Sequence, residues 1–257
     1  MGEQRRNALF PATTCVVLTL LGAGCSSPAM PAIETASPNQ LDVALCQGNK
    51  VPVQALENPR PATELGPEAA PALSGRGVDA IRPDKWLIAQ ESAGRVMLMN
   101  KLAIPQDTGR GDIRDYEYIV LSTNSMSSQS EKPVWDIVES STCAPTLDLG
   151  EKSAGLVTLD PSQPVSPEST KIALLVTEVD CNSGQNAVGR LGLVQLTETE
   201  STVEVVIGVR PSGATSASCQ GNPGTPFTVE IQQPVGTRAV LNAAVVPARE
   251  ITASKSP

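Results

Sequence analysis

The second half of the chain alternates apolar and polar residues with the period of a β-strand. One run has apolar side chains at Val203, Val205, Ile207 and Val209, and another has them at Phe227, Val229 and Ile231. Because successive side chains of a strand point to opposite faces, each run predicts a strand with one buried face. The unbroken apolar run Ile172–Val176 predicts instead a central strand that is covered on both faces.

Further apolar runs complete a set of strands. The runs Trp86–Gln90 and Val96–Asn100 flank a small polar turn and predict a hairpin. A second pair, Tyr116–Leu121 and Val134–Val138, is joined by a Ser-rich segment, Ser122–Ser130. A short strand is expected at Leu156–Leu159, and two more are expected at Leu191–Leu196 and Ala239–Val246.

Few segments of the sequence have a pattern that predicts a helix. Prolines recur too often between Val51 and Pro71 for a continuous helix, and Leu73–Ile81 has room for one short helical turn. The expected fold is therefore mainly β, with two small antiparallel layers in a sandwich-like arrangement, a short helix in the N-terminal half and two disulfides.

The beginning of the chain has the pattern of an export signal. Arg5 and Arg6 precede an uncharged apolar run, Ala8–Leu21, which is too short to span a bilayer. The stretch Leu21–Ser27 (LGAGCSS) resembles the lipobox of bacterial lipoproteins. The resemblance implies that Cys25 receives a diacylglyceryl group and becomes the first residue after cleavage, which places the protein on the extracytoplasmic face of the cell membrane.

Two alternatives to this interpretation remain open. Ordinary signal cleavage near Ala23 or Ala29 would release a soluble protein with a free Cys25, and an uncleaved signal would act as an anchor helix. The Arg5–Arg6 pair also raises the twin-arginine export route.

These patterns divide the chain into five parts. We expect a signal peptide over 1–24, a flexible tether over 25–45, an N-terminal β-hairpin domain over 46–147, a C-terminal antiparallel β domain over 148–250 and a loose tail over 251–257.

Charge and composition narrow the classes of function. The chain has 19 basic and 27 acidic side chains, and removal of Glu3, Arg5 and Arg6 with the signal leaves 17 and 26, a balance of −9. Such a chain is not built to hold nucleic acid by charge. The absence of histidine excludes Ser-His-Asp and Cys-His nucleophile activation and HExxH zinc chemistry. No cofactor is expected.

Four cysteines remain for disulfides once Cys15 is removed with the signal and Cys25 is acylated: Cys46, Cys143, Cys181 and Cys219. They allow three pairings in an oxidising compartment. If segments 171–179, 189–198 and 203–210 form an up-down-up meander, the loops that carry Cys181 and Cys219 emerge at the same end of the sheet. This geometry favours Cys181–Cys219 and, by elimination, Cys46–Cys143.

Three short motifs each have a functional and a purely structural interpretation. Asp107-Thr108-Gly109 matches the aspartic protease signature, but it occurs once and also fits an ordinary Gly-rich loop. Arg110-Gly111-Asp112 copies an adhesion tripeptide of a kind that arises by chance in exposed loops. The run Asp180–Gly184 faintly resembles a calcium loop, although a disulfide-bearing turn fits it better.

Two arginines lie close to proline or glycine. Arg210 and Arg238 lie at predicted strand ends and could present an anion site, although pairing with surface acids such as Glu230 is the simpler expectation.

The functional expectation is a binding or interaction module of the cell envelope that acts without catalysis. Its partners would be the membrane, through Cys25, and an envelope protein or cell-wall component. An acid-only envelope hydrolase that uses Asp107 and a purely structural lipoprotein are the competing hypotheses. The stretch from Val209 to Leu241 resembles a C-terminal module of uncharacterised bacterial secreted proteins, and this resemblance implies no activity.

Overall fold

Fifteen short strands account for most of the regular structure in the computed structural model, which describes residues 41–79, 81–109, 112–123 and 134–253. In chain order the strands are β1 Val43–Cys46, β2 Asn49–Pro52, β3 Leu87–Ser92, β4 Arg95–Asp107, β5 Ile113–Thr123, β6 Trp135–Cys143, β7 Thr146–Leu147, β8 Ser153–Ala154, β9 Leu156–Leu159, β10 Lys171–Thr177, β11 Leu191–Glu198, β12 Thr202–Val209, β13 Thr225–Glu230, β14 Ala239–Asn242 and β15 Arg249–Glu250. The one α-helix in these ranges, α1, spans Val53–Glu57, and two 3₁₀ turns span Ala62–Glu64 and Ala70–Ser74. The prediction of a mainly β chain is confirmed.

The strands form four sheets. Sheet 1 has the order β2-β1-β7, sheet 2 the order β3-β4-β5-β6, sheet 3 the order β11-β12-β14-β15 with β8 also on β12, and sheet 4 the order β13-β10-β9. All pairings between these strands are antiparallel except β12 with β14, which is parallel. The two hairpins predicted in the first half form as β3–β4 and β5–β6.

Buried apolar clusters join the sheets face to face in the order 2, 1, 3, 4. Met97 and Tyr118 of sheet 2 pack with Val51 of sheet 1, and Ile172 of sheet 4 packs with Val205 of sheet 3. A separate cluster joins sheets 1 and 3 and includes Ala44, Leu147, Val194 and Val206. The outer face of sheet 2 is covered by the segment 62–81, whose Ala62 and Ala72 pack on Val96 and Leu121. The sandwich-like prediction thus corresponds to two sandwiches that share a further apolar contact.

The strand that is covered on both faces is β12, and the prediction of that role for Ile172–Val176 is wrong. In β10, Ile172, Leu174 and Val176 are buried, whereas Ala173 and Leu175 on the other face are only half-buried. In β12, Val205 and Ile207 pack toward sheet 4 while Val206 packs toward sheet 1. The position of β10 at the centre of its three-stranded sheet is as expected.

The predicted meander of segments 171–179, 189–198 and 203–210 is also wrong, because β10 lies in sheet 4 whereas β11 and β12 pair in sheet 3. Nevertheless, Cys181 does pair with Cys219. The reason is that β10 and β13 are antiparallel neighbours in which Val176 faces Thr225. Cys181 follows the end of β10 and Cys219 precedes the start of β13, so both emerge at one end of sheet 4.

The second predicted disulfide, Cys46–Cys143, joins the last residue of β1 to the last residue of β6. It therefore connects sheet 1 to sheet 2. Three residues later β7 adds to β1, with Leu45 facing Thr146. Two of the predicted bounds differ in the structure: β1 begins at Val43, within the range expected for the tether, and β14 ends at Asn242 rather than at Val246.

Candidate functional site

The structure contains a polar cleft of about 720 Å³, which we define by the residues that line it from both halves of the chain. The lining comes from the β1–β2 turn, from the outer end of the β4–β5 hairpin, from the β8–β9 segment and from the loops next to the Cys181–Cys219 disulfide, and it is completed by β15. Small-molecule sites in proteins commonly have volumes of roughly 300–1,000 Å³. The polar cleft is thus large enough for a ligand or a short polymer segment.

Disulfides stiffen two walls of the polar cleft. Cys143, Cys181 and Cys219 all line it, and the Cα atoms of the two bridged pairs lie 5.5 Å and 4.5 Å apart. A cross-link of this kind limits the alternative conformations of the loops that it joins. The shape of the cleft is therefore built into the chain before any ligand binds.

Several buried polar atoms around the polar cleft lack a hydrogen-bond partner in the described part of the chain. The Nδ2 of Asn222 donates to the carbonyl oxygens of Glu178 (3.1 Å) and Asp180 (2.7 Å), but its Oδ1 accepts no bond. The Oγ of Ser153 is equally without a partner. Such atoms are expensive to bury, so they mark places where polar interactions have been kept at a cost to folding.

One lining residue of the polar cleft, Arg249, forms an ion pair with the buried Asp115. Arg249 donates from Nη1 to the carbonyl of Ile113 at 2.9 Å, and its Nη2 lies 3.2 Å from Oδ2 of Asp115 without the alignment of a hydrogen bond. The Oδ1 of Asp115 also has no hydrogen-bond partner there. This guanidinium and this carboxylate keep unused hydrogen-bonding capacity beneath the cleft.

A second ion pair positions the loop beside the Cys181–Cys219 disulfide. Glu178 is 4% exposed, and its Oε1 accepts a 2.6 Å bond from Nη1 of Arg190 while its Oε2 accepts a bond from Nη2. Nη1 of Arg190 also donates to the carbonyl of Arg210 at 2.6 Å. The hydrogen bond to Glu178 raises the pKa of Arg190. Since bidentate pairs of this type have a defined geometry, Glu178 holds one wall of the cleft in place.

The charges that line the polar cleft are mixed. Its acidic side chains are Asp112, Glu178, Asp180 and Glu250, and its basic ones are Arg114, Lys152 and Arg249. Arg114 and Asp112 are 3.2 Å apart and compensate each other. The lining therefore offers both donors and acceptors and has no strong net charge.

Asp107 lies at the end of β4, next to the polar cleft but outside its lining. Its Oδ1 accepts a 2.9 Å bond from the N–H of Gly109, whose φ is +96°, and Thr108 bonds to Asp112. These bonds are those of an Asx turn at the tip of a hairpin, as in the simpler interpretation of this motif. Arg110 and Gly111 of the adhesion-like tripeptide lie outside the described residues.

Arg238 pairs with a different acid from the one expected. Its Nη1 donates to Glu198 at 2.9 Å, and its Nη2 donates to the carbonyls of Gln233 and Pro234 at 2.7 and 2.9 Å. Glu230 instead pairs with Lys171, at 2.9 Å across the β10–β13 register. Burial opposes ionisation of Glu198, but bonds from the Gln232 N–H and from Arg238 outweigh it and hold the pKa of Glu198 below its ordinary value.

Arg210 donates from Nη2 to the carbonyl of Gly189 at 2.7 Å. It therefore fastens the loop before β11 to the end of β12. The run Asp180–Gly184 forms a disulfide-bearing turn, in which Ser183 and Gly184 have φ values of +53° and +71°. Among the described residues no group of three or more Asp, Glu, Cys or His side chains has the arrangement of a metal site.

A second concavity, which we call the basic cavity, has a volume of about 900 Å³ between sheets 1 and 2. It is bounded by Val43, Lys50 and Pro52, by α1 and the loop that follows it to Arg60, by residues 88–92 of β3 and by Arg95. Gln90 reaches across it, with Nε2 donating to the carbonyl of Lys50. Sequence reasoning missed this cavity, because its walls come from segments about 40 residues apart in the chain.

The predicted acylation site, Cys25, lies outside the described residues, so acylation stays a prediction. No helix in the described ranges is long and apolar enough to cross a membrane. Comparison of the chain with protein-family models, with characterised proteins and with solved structures finds no match.

Proposed function

We propose that this chain is a lipid-anchored extracytoplasmic binding protein of the cell envelope and that its polar cleft holds the ligand. The lipobox-like stretch that ends at Cys25 supports the anchor, and two disulfides are consistent with an oxidising compartment. The observation that carries the proposal is the polar cleft itself, where disulfide-braced walls surround buried polar atoms of Ser153, Asn222 and Arg249 that lack hydrogen-bond partners.

The chemistry of the lining indicates the kind of ligand. Mixed charges and unused donors and acceptors favour a polar ligand that offers both, such as a segment of a cell-wall polymer or of an extended polypeptide. A strongly charged ligand is less well matched, because Asp112 and Arg114 already neutralise each other. Hydrogen bonds then fix the orientation of the ligand, while apolar residues of the lining such as Leu156 and Val157 provide buried contact surface.

The proposal is tested by capture from envelope extract with the full chain and two charge-reversal variants. Glu250 is an exposed residue of β15 in the lining of the cleft, so Glu250→Arg changes both charge and bulk there. Glu200 is an exposed residue of the β11–β12 turn outside the lining, so Glu200→Arg is the matched control. We expect the captured partner to be lost with Glu250→Arg and retained with Glu200→Arg.

A milder variant addresses the unpartnered hydroxyl. Ser153→Ala removes a buried group that has no protein partner, so the free energy of unfolding should stay the same or rise. Equal capture by wild type and Glu250→Arg would exclude the polar cleft, and a native protein whose intact mass shows no acyl group at Cys25 would exclude the anchor.

A further inference from the structure

Two edge strands of different sheets line the polar cleft. β9 is an edge strand of sheet 4 and contributes Leu156–Thr158, and β15 is an edge strand of sheet 3 and contributes Arg249 and Glu250. In the described residues the two strands meet only at a parallel bridge between Leu159 and Ala253. An edge strand presents backbone N–H and C=O groups with which a further strand can pair.

The register of β9 fixes the direction of its backbone groups. The N–H of Asp160, just after β9, donates to the carbonyl of Ala173 in β10 at 3.0 Å, and Val157 faces Val176 in the same register. Bonded and non-bonded positions alternate along an antiparallel pair. Because Val157 is three residues before Asp160, its N–H and C=O point away from β10.

The neighbouring positions on this outer edge of β9 are already bonded. The N–H of Gly155 donates to the carbonyl of Ile207 at 3.3 Å, and the N–H of Leu159 donates to the carbonyl of Thr252 at 3.0 Å. Between them, at Val157, no strand of the described ranges pairs with this edge. The two backbone groups of Val157 are therefore available to a ligand of the cleft that its residue lines.

The outer edge of β15 is open in the same way. The N–H of Ile251 donates to the carbonyl of Val240 at 2.8 Å, so the N–H and C=O of the preceding residue, Glu250, point away from β14. The carbonyl of Thr252 points to this same side, where it accepts the bond from Leu159 of β9. Both edges thus offer backbone groups on the side where the two strands approach each other.

Aliphatic side chains lie beside the open edge of β9. Val179 lines the cleft and is 52% exposed, which makes it one of four large apolar side chains that are more than half exposed in the described ranges. Leu156 also lines the cleft, is half-buried and belongs to none of the buried apolar clusters. Leu156 faces Thr177 across the β9–β10 register, and Val179 follows Thr177 by two residues.

Open strand edges beside aliphatic side chains favour a polypeptide over a glycan. An extended polypeptide repeats N–H and C=O groups at the spacing of a strand edge and presents side chains alternately to the two faces. A glycan has hydroxyl groups without this spacing and has no aliphatic side chains. The unpartnered Oδ1 of Asn222, a residue that is 6% exposed, is a further acceptor for a peptide N–H.

We infer that the ligand of the polar cleft is an extended polypeptide segment, which adds as a strand to β9 at Val157 and places an aliphatic side chain on Leu156 and Val179. This inference rests on the proposed function, since the site is the same cleft, and it names the class of ligand. In strand addition, main-chain hydrogen bonds supply affinity and side-chain contacts supply selectivity.

The test measures binding of a defined probe, a fluorescein-labelled octapeptide of alternating threonine and valine, to the full chain with Cys25→Ser. Fluorescence anisotropy reports the complex. The same peptide with every amide nitrogen methylated lacks the donors that strand pairing requires, and chitohexaose represents a glycan. We expect the octapeptide to bind, and we expect neither the methylated peptide nor chitohexaose to displace it.

A matched pair of variants tests the apolar contact. Val179→Asp introduces a charge where the aliphatic side chain of the peptide packs and should weaken binding roughly tenfold. Val188→Asp is the control, because Val188 is 69% exposed, lies in the same connection between β10 and β11 and does not line the cleft. Affinity should be unchanged in the control.

A second pair tests the main-chain contact. Val157→Pro removes an N–H that points away from β10, where proline is compatible with an edge strand, and Val157→Ala keeps this N–H. The proline variant should bind the octapeptide roughly two- to tenfold more weakly than the alanine variant. Circular dichroism checks the fold of each variant.

Hydrogen exchange followed by NMR gives a measurement that needs no variant. In the free chain, the amides of Val157 and Glu250 should exchange faster than that of Ile251, which is bonded to β14. Saturation with the octapeptide should slow exchange at Val157. Unchanged exchange there would show that the peptide binds elsewhere and would overturn the inference.

Three other results would also overturn it: no binding of the octapeptide, equal binding of the methylated peptide, or equal affinities in Val179→Asp and Val188→Asp. Displacement by chitohexaose would mean a glycan site instead. If these tests fail while capture from extract is still lost with Glu250→Arg, the cleft binds a ligand of another class and the proposed function stands. Unchanged capture with Glu250→Arg contradicts the proposed function itself, so the two failures are distinguishable.

Discussion

At the scale of single residues, the two tyrosines of the chain occupy unusual surroundings. Tyr118 is 1% exposed, and its hydroxyl donates to Oε1 of Glu139. Burial and then this bond to Glu139 raise the pKa of Tyr118 to about 12. The pKa of Tyr116 is also raised, mainly by burial and to a smaller extent by the charge of Asp115. Both phenols are therefore stabilised in their neutral form by the fold.

This arrangement predicts the alkaline titration of the native protein. A phenol whose folded pKa lies above its unfolded value contributes stability below pH 10, and that contribution is lost as the pH rises through the folded pKa. Tyrosinate absorbance should thus not develop near pH 10 in the native protein, and it should do so in denaturant. Since the chain has only two tyrosines, the signal is simple to assign, with Tyr118→Phe as the check. Normal titration of either phenol in the native state would contradict the packing of sheet 2 described above.

At the scale of elements, a close approach between strands explains one glycine. Gly155 connects β8 to β9, and its N–H donates to the carbonyl of Ile207 at 3.3 Å. A Cβ atom built at this position would collide with Cγ1 of Val176 in β10 and lie 3.3 Å from Cγ2 of Val209. The absence of a side chain therefore lets the β8–β9 segment pass from sheet 3 to sheet 4.

Gly155→Ala should consequently destabilise the protein. Overpacking of this kind in a buried site typically costs about 1–3 kcal/mol. Urea denaturation measures the loss, and Gly94→Ala is a milder comparison, because a Cβ there would lie 3.3 Å from the hydroxyl of Thr123 in a half-buried turn. An equal loss of stability in the two variants would contradict the close contact between Gly155 and Val176.

The strands themselves were predicted from the sequence more successfully than their pairing partners. Alternation identified β12 and β13, and apolar runs identified both hairpins of sheet 2, because the period of side chains in a strand is local information. The same information did not say that β10 pairs with β13 rather than with β11. Strand partners that are about 50 residues apart in the chain, such as Val176 and Thr225, are selected by packing of the whole sheet.

At the scale of the whole molecule, the two disulfides close loops of different length. Cys46–Cys143 spans 97 residues and connects sheets 1 and 2, whereas Cys181–Cys219 spans 38 residues at one end of sheet 4. In the chain-entropy description, a longer closed loop restricts the unfolded chain more. The first bridge should therefore contribute more to stability than the second.

Replacement of each cysteine pair by alanine tests this order. We expect losses of about 4.7 kcal/mol for Cys46→Ala/Cys143→Ala and about 3.9 kcal/mol for Cys181→Ala/Cys219→Ala in the free energy of unfolding. Denaturant titration of both double variants gives the comparison under one set of conditions. The reverse order would show that packing around the bridges, rather than loop entropy, decides their contribution.

The two candidate sites differ in how much of them the sequence indicated. Analysis of the sequence singled out Asp112 and Cys181, which do line the polar cleft, but as parts of other motifs. It gave no reason to choose Ser153 or Arg249, since a single serine or arginine has no local pattern. Only the fold shows that Asn222 is buried with one oxygen unpaired, or that Arg95 is joined to Glu139 through Asn49.

By itself, the sequence determined the β class, most strand positions and the set of four cysteines that pair, whereas the export signal stays a prediction. These properties depend on local periodicity and residue type, which every short window of the chain contains. The tertiary structure alone decided the division into four sheets, the double coverage of β12 and the positions of the polar cleft and the basic cavity. Each of these requires segments from distant parts of the chain to meet, and their meeting is selected by the total burial and hydrogen bonding of the folded molecule rather than by any one segment.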